Sequence, residues 1–262
     1  MAENTGIIRL EDISYSYPGT DSKVLDHLNL EIFQGDRIGM IAPNGTGKTT
    51  LLHTIMGLCK PDGGTITIFG NALKNEKDFL PVRSKIGLLF QDSDDQLFCP
   101  TVMEDVAFGP LNLGFSHGQA VDMAKKTLES LGMSAFEQSI THRLSGGQKR
   151  LVALAAVLAM NPRVLLLDEP TAGLDNTVKE RLIHILNQLD ISYLVISHEF
   201  DFVSAVTDKI YSMENGRVLT NAGINIHHHD HVRKHSTLIS TEYSLPGFFL
   251  EVQQHKKKAL KK

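Results

Sequence analysis

Apolar and polar residues alternate over residues 7–17 and 28–33, the period of half-buried strands. A turn at Gln34-Gly35-Asp36 leads into a buried strand over 37–42. Gly63 and Gly64 precede a strand over 65–69, and 85–90 reads as another, ending at Gln91. From Thr101 to about Met160 the pattern is mostly helical. One helix starts at Ser116, where Gln119 completes a capping box. Val121, Ala124, Leu128 and Leu131 lie on one face of it. Residues 164–167 form a continuous apolar run before Asp168, as in a parallel strand covered on both faces. A helix over 178–189, a strand over 193–197 and a short helix over 200–206 follow. Segments 209–213 and 217–219 flank Asn215-Gly216, a hairpin signal. No internal repeat is visible, and after about Ala222 the pattern gives way to a stretch rich in His and Lys.

Strands alternating with helices make this an α/β chain. With 262 residues, 42% of them hydrophobic, it has material for one sizeable core and a small appendage. The net charge of -4 is milder than the basic balance of a nucleic-acid binder. No run approaches the length of a membrane span. Met1-Ala2-Glu3-Asn4 lacks the basic-then-apolar order of a secretory signal. Cys59 and Cys99 are too few for a disulfide framework or a zinc site and read as reduced thiols in a cytosolic protein.

Three motifs carry chemistry. Residues 42–50, from Ala42 through Asn44, Gly45, Thr46, Gly47, Lys48, Thr49 and Thr50, follow a strand and open a helix. That is the context of a phosphate-binding loop, in which successive N–H groups and a helix N-terminus surround phosphates. Lys48 is placed to reach β- and γ-phosphates, and the Thr49 hydroxyl to ligate Mg²⁺. The usual pattern begins with Gly where this chain has Ala42; a methyl there is small, and function should survive it. The apolar run 164–167 delivers Asp168 and Glu169 to the ligand-binding edge of a parallel sheet. Asp168 suits the Mg²⁺ shell, and Glu169 a general base that polarises an attacking water. The third motif is Leu144-Ser145-Gly146-Gly147-Gln148, just before a helix, a second anion site at a helix N-terminus. Two phosphate sites for one nucleotide make sense in a two-fold dimer, where each loop meets the γ-phosphate held by the other chain.

Together these motifs resemble the ATP-binding-cassette (ABC) family over about residues 7–219, with the family signature LSGGQ lying between the phosphate loop and the Asp168-Glu169 strand. The resemblance implies a P-loop NTPase core with an antiparallel β-subdomain and an inserted α-helical signature subdomain at about 92–160. The cassette would occupy 1–222, and a His- and Lys-rich extension 223–262. It implies ATP and Mg²⁺ as ligands and a second ATPase chain, identical or a paralogue. By resemblance, Tyr17 stacks on adenine, Gln91 senses Mg²⁺ and links to a membrane partner, Asp175 crosses the dimer interface, and His198 contacts the γ-phosphate.

The stretch from Asp92 through Asp95-Gln96-Leu97-Phe98 to Asn112 is similar to energy-coupling-factor importers, especially the cobalt and nickel ATPases of CbiO type. That likeness implies a transmembrane T-type subunit gripped by this segment, a separate membrane component that binds the substrate, and a peripheral location on the cytoplasmic face. An ATPase for another energy-coupling-factor vitamin importer stays open. A soluble cassette of DNA repair would need a long coiled coil between Gln91 and Ser145, and no sustained heptads occur there. Translation factors carry two cassettes, and here there is one. An iron–sulfur assembly ATPase fits by size but not by the Asp95–Phe98 segment. A degenerate cassette would lack Glu169 or His198. His227, His228, His229, His231 and His235 crowd the tail, either as ligands for Ni²⁺ or Co²⁺ or as a solvated terminus. Lys256, Lys257, Lys258, Lys261 and Lys262 leave the same choice between anionic lipid and solvent.

Overall fold

A computed structural model describes residues 6–220. The tail histidines and lysines lie outside the described residues. The chain runs β1 (Gly6–Ser16), β2 (Lys23–Phe33), β3 (Arg37–Ile41), α1 (Lys48–Ile55), β4 (Gly63–Ile68), β5 (Asn71–Leu73), α2 (Glu76–Arg83) and β6 (Ile86–Leu89). Then come α3 (Val102–Asn112), α4 (His117–Ser130), two 3₁₀ turns, α5 (Gly146–Leu158), β7 (Val164–Asp168), α6 (Asn176–Gln188), β8 (Ser192–Ser197), α7 (Phe200–Val206), β9 (Lys209–Glu214) and β10 (Arg217–Leu219).

The alternating N-terminal segments pair antiparallel, Ile8 opposite Ile32 and Leu10 opposite Leu30, in a four-stranded sheet ordered β2-β1-β4-β5. The expected strand over 28–33 begins earlier, at Lys23, because its first half completes the ladder with β1. The second sheet is ordered β10-β9-β3-β8-β7-β6, parallel except for β10. Alternate residues of β7 and β8 serve two different cores, which is why both strands are apolar throughout. Leu165, Leu167, Tyr193 and Val195 face the core shared with α5 and α7, while Val164, Leu166, Leu194 and Ile196 face the core shared with the antiparallel sheet. Gly39 lets α7 lie flat on β3, since a Cβ there would sit 2.1 Å from Val203 Cγ1. Asn215 and Gly216 both adopt positive φ, 48° and 71°, the backbone of a tight hairpin turn.

Helices α3, α4 and α5 bury Val102, Val106, Ala120, Ala124, Leu128 and Leu151 against one another. The capping box at Ser116 forms with Gln119. The buried face of α4 is set by Ala120, Met123, Ala124, Thr127 and Leu128, so Val121 lies at its margin, only half-buried, and Leu131 caps the helix. Two short elements have no counterpart in the apolar pattern, β5 and α2. The latter reads as polar and carries Pro81, yet Asn75 and Asp78 form its capping box, and Phe79 and Val82 anchor it.

Candidate functional site

Parallel strands bring three motifs to one sheet edge. Ile41 is level with Ser197, and Ile196 with Asp168, so β3, β7 and β8 deliver the phosphate loop, Asp168-Glu169 and His198 side by side. The loop turns through left-handed glycines, Gly45 at φ 81° and Gly47 at φ 99°. A side chain at Gly47 would also press on the Val24 carbonyl at 2.8 Å, so the tight approach to β2 requires glycine. Ala42 is buried and is not among the residues of positive φ, so its methyl strains nothing. No side chain caps α1, and no acid occupies its first turn, so its leading N–H groups are left for an anion.

Lys48 is buried, and its Nζ donates to Asn44 Oδ1 at 3.1 Å and, in closer contact, to Glu169 Oε1. His198 Nδ1 lies 3.0 Å from Glu169 Oε2. Burial pushes the Glu169 carboxyl up, but hydrogen bonds from Lys48 and His198 outweigh it and hold the group below its ordinary value. Its neighbour Asp168 moves the other way. Burial raises it, and one hydrogen bond from Thr49 Oγ1, at 2.7 Å, does not compensate. Asp168 Oδ1 is buried with no partner among the described residues. A buried oxygen without a donor, beside a threonine hydroxyl, suits a hard divalent cation such as Mg²⁺. Among the described residues no three His, Cys, Asp or Glu side chains cluster as a closed metal cage.

Thr49 and Asp168 open onto a cavity of about 800 Å³ that Gln91 and Gly146 also line. Among the signature residues, Ser145 caps α5 and Gln148 completes its capping box. Asp175 caps α6 through Val178 N. Tyr17 is half-exposed, its hydroxyl 2.9 Å from Thr50 Oγ1 and its ring edge-on to Tyr15. Thr46 bonds back to the Pro43 carbonyl.

Sequence reasoning missed Arg150, which lies buried two residues past the signature. The signal was available, a charge abutting the apolar run 151–158, next to Lys149. Burial lowers its pKa to about 10, which leaves it charged at neutral pH. It also missed Glu199, which accepts from Thr171 Oγ1 at 3.0 Å and Lys179 Nζ at 2.6 Å and so ties the His198 turn to α6.

The family model for ABC transporters matches residues 25–172, more than half of the chain. The chain belongs to the ABC transporter ATP-binding family. It is 47% identical over 237 residues to a Nitratidesulfovibrio vulgaris protein described as an ABC transporter ATP-binding protein, covering 90% of this chain and 85% of the relative. It is 41% identical over 218 residues to the energy-coupling factor transporter ATP-binding protein EcfA of Methanothermobacter thermautotrophicus, covering 81% of this chain and 70% of that one. Among solved structures it resembles CbiO1 of Clostridium perfringens, part of the ABC transporter complex CbiONQ, with a TM-score of 0.74 and 34% identity over 82% of this chain and 87% of that one. A dimeric cassette in a post-hydrolysis state with ADP and Pi superposes with a TM-score of 0.75 and 26% identity, covering 81% of this chain and 96% of that one. The cassette is therefore an ATP-binding ATPase of a transporter. No helix among its described residues is long and apolar enough to cross a membrane.

Proposed function

We propose that this cassette is the ATP-hydrolysing subunit of an energy-coupling-factor importer and that its cargo is cobalt or nickel. It works as a dimer, peripheral on the cytoplasmic face of the membrane, docked to a T-type transmembrane subunit with a separate substrate-binding component. Its site holds the adenine on Tyr17 and the phosphates on residues 44–50 and the N-terminus of α1. Lys48 leaves Glu169 for the β- and γ-phosphates. Glu169, freed and flanked by His198, accepts a proton from the attacking water as its oxygen joins the γ-phosphorus and ADP departs. Thr49, Asp168 and Gln91 would hold Mg²⁺, which when bound neutralises charge on the phosphates. The second chain contributes Ser145, Gly146, Gly147 and Gln148 to the γ-phosphate, with Asp175 at the shared boundary.

The observation that carries the importer reading is an exposed aromatic pair. Phe98 and Phe108 are 65% and 43% exposed and stack edge-to-face at 4.7 Å, an apolar patch with half-exposed Leu111. Phe98 ends the Asp92–Phe98 segment, and Phe108 and Leu111 lie on α3 of the helical insertion. The likeness to EcfA and to CbiO1 supports the same partner class, and the CbiO-type segment supports the metal cargo. To test the docking, the cassette is co-expressed with its T-type subunit and captured in detergent. The Phe98→Ser/Phe108→Ser variant should lose the subunit, with ATP affinity as the folding control. Undiminished capture by that variant would reject the interface. Uptake of labelled cobalt, nickel and vitamins by the assembled complex then decides the cargo, and vitamin uptake alone would replace the metal assignment.

A further inference from the structure

Arg150 stands in the second turn of α5, 3% exposed, and forms no ion pair among the described residues. Instead its guanidinium donates to backbone carbonyls. Nε reaches Pro170 O at 2.9 Å, and Nη2 reaches Asp168 O at 2.9 Å and Glu169 O at 2.6 Å. Nη1 reaches Phe90 O closely and Gln91 O at 3.2 Å. Three of these carbonyls are consecutive along the chain, and an extended strand would point them to alternating sides. They converge because Glu169 adopts a left-handed backbone, φ 43°, which a side-chain-bearing residue holds only when its surroundings enforce it. The planar, five-donor fork of Arg150, a geometry that a lysine ammonium cannot reproduce, holds this turn from one side, while Glu169 N donates to Ile196 O at 2.9 Å and Ala172 N to Glu169 O at 3.1 Å.

We infer that Arg150 is a positioning residue for hydrolysis. It sets the turn that aims the Glu169 carboxylate, and it fixes that turn to the Gln91 segment and to the helix capped by Ser145. Displacement of α5 when the signature loop meets the other chain's γ-phosphate therefore moves Glu169 and Gln91 together. Arg150 borders the cavity that Thr49 and Asp168 line, but all five of its donors are engaged by backbone carbonyls, so its removal should act on turnover and spare binding. The inference rests on the assignment of Glu169 as base, and the test separates the two.

Steady-state ATPase kinetics and ATP affinity are measured on the full chain for the wild type, Arg150→Lys and Glu169→Gln, with melting temperature as the fold control. Arg150→Lys should lower kcat on the order of a hundredfold, the loss that accompanies a base displaced by about 1 Å, while KM changes less than about threefold. Wild-type kcat in Arg150→Lys with Glu169→Gln inactive overturns the clamp alone. Wild-type kcat in Glu169→Gln overturns the base assignment and the clamp with it. A rise in KM that accounts for the whole defect would make Arg150 part of the binding surface and overturns the clamp. Should Arg150→Lys melt below the assay temperature, Arg150→Gln is measured under the same criteria. Loss of fold in both variants would make Arg150 a stability residue and also overturn it.

Discussion

Glu169→Gln should have two effects of opposite sign, and the ion pair with Lys48 determines both. The two side chains are 7% and 3% exposed, so little water screens them. At an effective dielectric near 20, two charges in contact attract by about 4 kcal/mol. Replacing the carboxylate by an amide leaves the buried ammonium with neutral acceptors, Asn44 Oδ1 and the amide oxygen at 169, in place of its ion-pair partner, and breaking such a pair typically costs about 3 kcal/mol of stability. The nucleotide-free variant should therefore unfold at lower urea concentration than the wild type. In the proposed site ATP takes Lys48 away from Glu169 and brings phosphates close to that carboxylate. The variant is spared both costs. Even at the low end of measured couplings for close charge pairs, about 1.5 kcal/mol, its affinity should rise about tenfold. Isothermal titration with a non-hydrolysable ATP analogue and Mg²⁺ measures the change, on wild type and variant, each with and without Lys48→Ala. Equal or weaker binding by Glu169→Gln refutes the argument. So does a tightening that persists undiminished in the Lys48→Ala background, because the competition requires the ammonium.

The same pair fixes a pH dependence. The Glu169 carboxyl is held below its ordinary value, so its contribution to stability is present above the unfolded carboxyl range, about 4.3, and fades as pH falls through the folded value. Asp168 is shifted upward chiefly by burial, a cause common to wild type and Glu169→Gln, and only the smaller part of its shift that the Glu169 charge causes differs between them. The stability gap between the two proteins should thus close below pH about 4 in urea titrations; a gap independent of pH refutes the pairing. A different loss is expected at Asp105, a buried carboxylate that accepts from Phe98 N, Cys99 N and Thr141 Oγ1 at 3.0, 2.9 and 2.9 Å. Asp105→Ala strands these donors and should cost about 3 kcal/mol in urea unfolding with ATP affinity intact; unchanged stability would show that the donors find water.

Where the candidate site uses residues adjacent in the chain, its motifs and their place at strand ends and helix starts were legible in the sequence. The phosphate loop, the Asp168-Glu169 pair and the signature loop are contiguous because each uses the backbone of a single strand end or helix start. The strands β3, β7 and β8 and the Asn215-Gly216 turn were legible for a similar reason, since burial on two faces and positive φ both leave local marks in composition. The helix α2 and the early start of β2 were not, because a capping box and a partner strand, more than any apolar period, stabilise them. The local pattern did not single out Arg150, and only the tertiary fold brings the carbonyls of 90, 91 and 168–170 around it. Likewise, sequence motifs assigned Lys48 to phosphate and Glu169 to water as separate roles, and the folded site joins them as a buried pair. By itself the sequence determined which groups reach the sheet edge, because strand direction and motif position are local properties. Which of those groups touch one another was decided only by the packing of α1, α5 and three strands, since residues separated by more than a hundred positions meet through the core and not along the chain.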